Sequence, residues 1–400
     1  MKRIIFHVDV NSAFLSWTAA KMVEQGGEDI RLIPSAVGGD PEKRTGVILA
    51  KSVPAKRYGI KTGEPTGMAL RKCPKLVIVK PDFKLYRQYS DAFINICRDY
   101  SPVVEKYSID ECFIDMTGME RIFPDIIKTA YELKDRIKNE LGFTVNVGIG
   151  SNKLLAKMAG DFEKPDKVHT LFDYEIEEKM WKLPVSDLIS VGESAAQRLA
   201  QLSISTIGQL AVLDAETLRA NFKNKMGQQL YDYSHGIDDS PVNENQREAK
   251  GYGNSTTLQE NVTTFEKADE IILNLSDYVC ARLRADGAKT YCVSVLIRST
   301  DFKDRSHQRK LNIPTDITDE IYGISKELFR ELWDGKTPLR LMGISLSDIT
   351  RDGGEQISLF DSGEKENSRR LDRTVDEIRS KFGKDKIKRA AVINSQIKLK

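Results

Sequence analysis

The chain has 400 residues, of which 40% are hydrophobic and 30% charged, and a formal net charge of +2. That length and composition allow about two to four domains with packed cores and exclude a disordered or fibrous chain. So small a net charge implies no anionic partner by itself. The apolar start RIIFHVDV is interrupted by His7 and Asp9 before a signal-like core develops, and no run approaches the ~18 apolar residues of a membrane helix. A cytoplasmic protein with no membrane contact is expected. Five cysteines, Cys73, Cys97, Cys112, Cys280 and Cys292, are scattered and never spaced CxxC, so they read as small core residues, not as disulfides or zinc ligands.

In chain order, RIIFHVDV predicts a buried strand and residues 13–23 a helix. Two Gly/Pro-punctuated stretches, VGGDPEKRTG and GIKTGEPTGM, flank the apolar run VILA and mark a small, turn-rich subdomain. Between residues 40 and 87 basic residues far outnumber acids, so this region suits phosphate, although a solvated surface of Lys and Arg has the same composition. LVIV reads as a strand, 85–100 as a helix, EKYSIDECFIDM as strand, and Ile126, Ala130, Leu133, Ile137 and Leu141 as one helix stripe. TVNVGIG alternates as a strand and runs into a helix capped by Ser151 or Asn152. After Pro165 short helices take over, and LPVSDLISVGESAAQRLAQLSISTIGQLAVL predicts a helix, a tight VGES turn and a second helix. The polar stretch GIDDSPVNENQREAKG reads as a linker. Beyond it strand 252–259, helix 265–285, strand YCVSVLIR, strand 308–313, helix 319–332 and strand 339–349 form a βαββαβ unit. The fold class is α+β and multidomain.

Asp110 and Glu111 sit side by side in the apolar stretch KYSIDECFID. A buried carboxylate is costly unless a proton, a cation or a metal neutralises it. Alternation in IIFHVDV puts Ile5, His7 and Asp9 on one face, which delivers another carboxylate at a strand end. Three carboxylates with no His or Cys beside them make an all-oxygen set that selects a hard cation, and two such ions can move a phosphoryl group. The ordinary alternatives are a cap for Asp9 and a solvated loop for the Asp-Glu pair. Because neighbours on a strand point to opposite faces, both acids reach one point only if the strand ends or turns there.

HVDVNSAF, YSIDECFID and SNKLLAKMAGDFEKP resemble, in order, the three signature segments of the Y-family translesion DNA polymerases, and GVILAKSVPAKRYGIKTGEPTGMALRKCP resembles the family's fingers. The resemblance spans about residues 1 to 350. It implies a right-hand polymerase with palm, small fingers, a helical, helix-hairpin-helix-like thumb and a βαββαβ little finger. It implies palm at 1–18 and 83–171, fingers at 19–82, thumb at 172–236, linker at 237–250, little finger at 251–350 and a tail at 351–400. By it Asp9, Asp110 and Glu111 are catalytic metal ligands, with the Val10 carbonyl a further ligand, for two Mg²⁺ ions that Mn²⁺ can replace. Phe14 stands at the family's steric gate under the sugar, where the alternative is a core aromatic. Lys157 stands at the triphosphate lysine, although Lys153, Lys157 and Asp161 also make a salt-bridged helix surface. Where many members carry Tyr and Arg on the triphosphate, this chain has Val53 and Lys56, and Ala50 replaces a commonly hydroxylated residue. Lys56 is retained as a nucleotide contact, Val53 and Ala50 are not.

The thumb turn would hold a DNA phosphate through Gly192, with Ser190 in place of the usual first glycine. In the little finger Ser255, Thr256, Lys289, Arg298 and Arg309, with Lys303, Arg305 and Lys310 beside them, are candidates for DNA backbone contacts. EQISLFD resembles the peptide that binds the bacterial sliding clamp, through Gln356, Ile357, Leu359 and Phe360. The expected function is template-directed, low-fidelity, lesion-bypassing DNA synthesis by a monomeric enzyme that takes primer-template DNA and dNTP and is recruited by the clamp in DNA repair. No His or Lys general base is expected beside the carboxylates. A catalytically inactive, clamp-recruited DNA-binding accessory protein and a palm-type nucleotide cyclase are the alternatives.

Overall fold

A computed structural model describes residues 3–40, 42, 46–244, 248–351, 364–383 and 386–390. The clamp-peptide residues Gln356, Ile357, Leu359 and Phe360 lie outside them. The chain forms two compact units, the second beginning after residue 246.

The first unit runs β1 (Ile5–Val10), α1 (Ala13–Glu24), β2 (Ser35–Gly38), β3 (Ile48–Lys51), α2 (Val53–Lys56), α3 (Thr66–Lys72), β4 (Val77–Val79), α4 (Phe83–Arg98), β5 (Val104–Lys106), β6 (Glu111–Asp115), α5 (Ile126–Leu141), β7 (Val145–Gly150), α6 (Lys153–Gly160), β8 (Val168–Leu171) and α7 to α10 (Glu193–Gln201, Ile207–Ala211, Ala215–Phe222, Asn224–Ser234). Its main sheet has the order β5-β6-β1-β7-β8, so β1 is central. Phe6 and Val8 enter a core shared with Phe93 and Cys97 of α4 and Leu133 and Ile137 of α5. Ile5 faces the other way, with Phe113 of β6 and Ala156 of α6. The alternation expected for β1 is therefore real, and His7 and Asp9 share the α6 face.

Two glycines let α6 lie there. A Cβ on Gly148 would come within 2.0 Å of the Ala156 carbonyl oxygen, and one on Gly150 within 2.5 Å of the Ala156 nitrogen. Any side chain at either position would push the helix off the sheet. Asn152 caps α6 by accepting from the Leu155 N–H (2.8 Å), while Ser151 turns away to donate to Asp173 (2.6 Å). The strand β8, parallel to β7, is not anticipated by the sequence pattern, because Val168–Leu171 is too short to display a period.

The stretch beginning at residue 237 is less of a linker than its composition suggests. Asp238 accepts from the Leu154 N–H (3.2 Å), the Asn243 N–H donates to Glu105 (2.9 Å), and Val242 is buried with Ile5 and Phe113. In the helical region the hairpin has one full helix instead of two: a single 3-10 turn (Val185–Asp187) precedes the turn and α7 follows it.

The second unit runs β9 (Tyr252–Val262), α11 (Phe265–Ala285), β10 (Lys289–Ser299), β11 (Asp304–Thr315), α12 (Thr318–Leu332), β12 (Leu339–Thr350) and α13 (Glu364–Phe382). The βαββαβ order holds, and the antiparallel sheet is β11-β10-β12-β9. Val293, Val295, Ile297, Met342 and Ile344 bury against Ile272, Val279 and Phe329 of the two helices. Their strand neighbours make up the opposite, open face: Ser294 beside Ser345 and Gln308, Leu296 beside Gly343 and Ser306, and Arg298 beside Leu341 and Asp304. Helix α13 is attached largely by charge. Arg284, 6% exposed at its side chain, reaches Asp372 (3.2 Å) and Asp376 (2.6 Å), while Arg369 meets Asp316 (3.1 Å) and Arg379 meets Asp277 (2.8 Å). Among the described residues no helix is long and apolar enough to cross a membrane, and all five cysteines are free and buried.

Candidate active site

The Asp-Glu pair lies where the ladder between β1 and β6 ends. Asp9 is the cross-strand partner of Glu111. One step on, the Val10 N–H donates to the Asp110 carbonyl (2.9 Å), but the Asp110 N–H turns to the Ser108 hydroxyl (3.2 Å). Ser108 in turn donates to the Asp110 carboxylate (2.6 Å). Asp110 thus belongs to the bend between β5 and β6, and Glu111 is the first residue of the strand. That geometry removes the objection that neighbouring side chains on a strand diverge.

The positive charge that buried carboxylates require comes here from lysines. Lys157 on α6 donates to Glu111, and Lys164, just past α6, donates to Asp9 while also meeting Asp161 (2.8 Å). Lys157 therefore does not pair with Asp161 along its helix. His7, 1% exposed, places Nε2 2.8 Å from the same Glu111 oxygen. The sequence expectation is of no His or Lys general base here; strand pairing and the close approach of α6 nonetheless bring His7, Lys157 and Lys164 beside the carboxylates.

Burial pushes Glu111 up, yet the hydrogen bonds from His7 and Lys157 outweigh it and hold the carboxyl at about 2. Burial keeps His7 below its ordinary value, against the pull of Glu111. A neutral imidazole beside an ionised carboxylate must donate through Nε2, which leaves Nδ1 buried and without a partner. Burial also raises Asp9, despite the charge of Lys164. Lys164 itself is raised: its burial opposes the charge, and Asp9 and Asp161 prevail.

Among the described residues no three acids, histidines or cysteines converge into a metal cage. The donor chemistry still fits a hard cation, since Asp9, Asp110 and Glu111 offer oxygen alone and two of them already draw ammonium groups. Phe14, half-buried on α1, stacks on Tyr86 (centroids 4.7 Å apart, 23° between planes) and meets Trp17 and Phe83 edge-on.

In the fingers stretch Lys56 is exposed at the end of α2 and Val53 is 56% exposed. Burial, then the neighbouring charge of Lys56, holds Lys51 below its ordinary value, and its ammonium donates to the Thr62 hydroxyl (3.2 Å). Ser190 adopts φ 75, the left-handed conformation that suits glycine, and Gly192 precedes α7 with open space around its Cα. Of the DNA-contact candidates, Ser255 and Arg298 lie on the open face of the β9–β12 sheet, Arg298 being paired with Asp304 (2.5 Å). Thr256 and Arg309 lie on the other face of that sheet. Thr256 pairs with Met342 and Arg309 with Val293, both on the helix-covered face, where Arg309 meets Glu327 (2.5 Å) and Glu331 (2.9 Å). Lys289 opens β10 opposite Thr350.

An acid-bearing mixed sheet with helices on both faces, a helical region with a left-handed turn before α7, and a βαββαβ unit define the right-hand class of nucleic-acid polymerases. Residues 8–161 match the impB/mucB/samB family, 249–359 that family's C-terminal domain, and 186–238 the thumb domain described for DNA polymerase-iota. The chain is 45% identical to a DNA polymerase IV of Clostridium acetobutylicum, with 100% of both chains covered. It is 36% identical to a DNA polymerase IV of Clostridium kluyveri (98% of this chain, 99% of the other) and 35% identical to DNA polymerase IV 2 of Bacillus subtilis (98% and 95%). A solved chimaeric Y-family DNA polymerase shares the fold, with a TM-score of 0.76 at 22% identity over 87% of this chain and 100% of that one. The chain belongs to the Y-family of DNA polymerases and is a DNA-directed DNA polymerase.

Proposed function

We propose that the chain extends primers past damaged template bases, joining deoxynucleoside triphosphates at the Asp9, Asp110 and Glu111 end of β1 and β6. The observation that carries this reading is the cross-strand pairing of Asp9 with Glu111, with Asp110 released from the ladder beside them. Asp9, Asp110, Glu111 and the Val10 carbonyl would hold two Mg²⁺ ions, or Mn²⁺ in their place. When bound, the ions supply charge stabilisation to the attacking primer oxygen and to the leaving pyrophosphate. Glu111 stays ionised through His7 and Lys157, and is ready to accept a cation at neutral pH. Lys157, which donates to Glu111, would be able to hold a triphosphate oxygen once a cation neutralised that carboxylate. Lys51 and Lys56 supply point charges for the same phosphates, without the planar fork an Arg would offer. Phe14 closes the floor beneath the sugar.

In this reading the β5-β6-β1-β7-β8 sheet with its helices is the palm, β2 to β4 with α2 and α3 the fingers, α7 to α10 the thumb and the β9–β12 unit the little finger. DNA backbone lies along the open sheet face around Ser255 and Arg298, and Gly192 offers a backbone amide to a phosphate. Those contacts are to phosphate, so the logarithm of affinity for primer-template should fall linearly with the logarithm of salt concentration. A flat salt response in an anisotropy titration would remove the proposed backbone contacts.

A monomeric, cytoplasmic enzyme recruited by the sliding clamp completes the reading, with Gln356, Ile357, Leu359 and Phe360 as the clamp peptide. Replacing Leu359 and Phe360 together by Ala should abolish stimulation by the clamp and leave distributive synthesis unaltered. Stimulation that survives the double substitution would reject the peptide. The test of the whole proposal is primer extension on a damaged template with each dNTP supplied alone; failure to extend on any template would overturn it.

A further inference from the structure

The tip of the β10–β11 hairpin carries a residue that folding alone does not account for. The Phe302 N–H donates to the Ser299 carbonyl (3.1 Å) and the Ser299 N–H to the Lys303 carbonyl (3.1 Å), enclosing a three-residue loop. Such a loop ends on a residue in the left-handed region, where glycine is the usual choice. Here the position holds Phe302, with φ 62. Phe302 is 66% exposed, so the strain is not offset by burial. Arg340 of β12 places its guanidinium 5.0 Å from the ring centroid, which supports one side of the ring. Beside it on the hairpin stand Arg298 and Lys303, ion-paired with Asp304 (2.5 Å) and Asp301 (2.9 Å).

We propose that Phe302 is a base-stacking residue, which takes an unpaired base of DNA whose backbone lies along the adjoining open sheet face. The proposal rests on that reading of the face. An aromatic ring adds little to phosphate binding, and bases inside a duplex already have stacking partners on both sides. The partner that this chemistry fits is therefore an unstacked base in a single-stranded stretch, with the flanking cations on its phosphates. A ring held in place by Arg340 loses little freedom when it stacks.

The test compares binding of the full chain to three ligands: blunt duplex, duplex with a single-stranded overhang, and the same overhang with abasic sugars. Wild type should prefer the base-bearing overhang over the abasic one by about tenfold, the scale of one aromatic stack. Phe302→Gly suits the left-handed backbone, so its melting temperature should not fall, and it should lose the preference between the two overhangs. Phe302→Trp should restore it. A wild-type chain that binds none of the three would reject the sheet-face reading itself. If wild type binds and Phe302→Gly keeps the full preference, base stacking is rejected. If the only defect of Phe302→Gly is in clamp-stimulated synthesis, the ring serves a protein pocket and the proposal is equally overturned.

Discussion

Replacing Asp110 by alanine is expected to lower metal-dependent primer extension about a thousand-fold or more, since a metal-ligating carboxylate supports several kcal/mol of charge stabilisation. DNA binding should survive. Asp110 is the informative choice among the three acids because its carboxylate accepts from Ser108 at the ladder's end and ties no strand or helix to the sheet. Glu111 differs: its side chain is the shared acceptor for His7 and Lys157. Removing it leaves a buried imidazole and an ammonium group unpaired, at about 1–3 kcal/mol for each neutral group and more for a charge. Lost activity in a Glu111 variant would then mix catalysis with stability. Single-turnover extension beside an anisotropy titration separates the two effects for Asp110, and extension near the wild-type rate would sink the assignment of Asp110 to the metal.

The second large effect concerns the sugar. Phe14→Ala should raise use of ribonucleotides relative to deoxynucleotides by about a hundred-fold, as expected when a tightly fitted wall is removed from a pocket. The ring is not loose, for Tyr86 stacks on it and Trp17 and Phe83 meet its sides. That clamp is what a gate needs, because a ring free to rotate would yield to a 2′-hydroxyl. It is also what a core aromatic has, and truncating a buried Phe costs about 3–5 kcal/mol, less where the ring is half-exposed. Competition between ATP and dATP in single-nucleotide insertion, with melting temperature measured on the same variant, distinguishes them. Unchanged sugar selection with a lowered melting temperature would leave Phe14 a packing residue.

Much of the fold is legible in the chain itself. The alternation of IIFHVDV foretells which of its residues share the face of Asp9, and the βαββαβ boundaries from Tyr252 to Thr350 fall within a few residues of the observed elements. These features depend on period and turn residues, which are local. The bend at Asp110 is also foreseeable, since two adjacent acids can act together only where a strand stops.

What tertiary structure alone decided are the partners. His7 and Glu111 are 104 positions apart, and Lys164 and Asp9 are 155 apart. Nothing in local pattern connects them. Gly148 and Gly150 look like ordinary strand residues until α6 is laid against them, and that approach carries Lys157 to Glu111. Register separates Ser255 from Thr256 and Arg298 from Arg309, putting one of each pair on the open face and the other on the helix-side face. The charges of α13 likewise give no sign of their partners in local sequence, whereas Asp372 is buried against Arg284. The chain by itself determined the elements, the order of the acids and the need for positive charge near them. Which cations meet that need, and which side chains face outward, followed from long-range pairing, because register and helix docking are set by the packing of segments far apart in sequence.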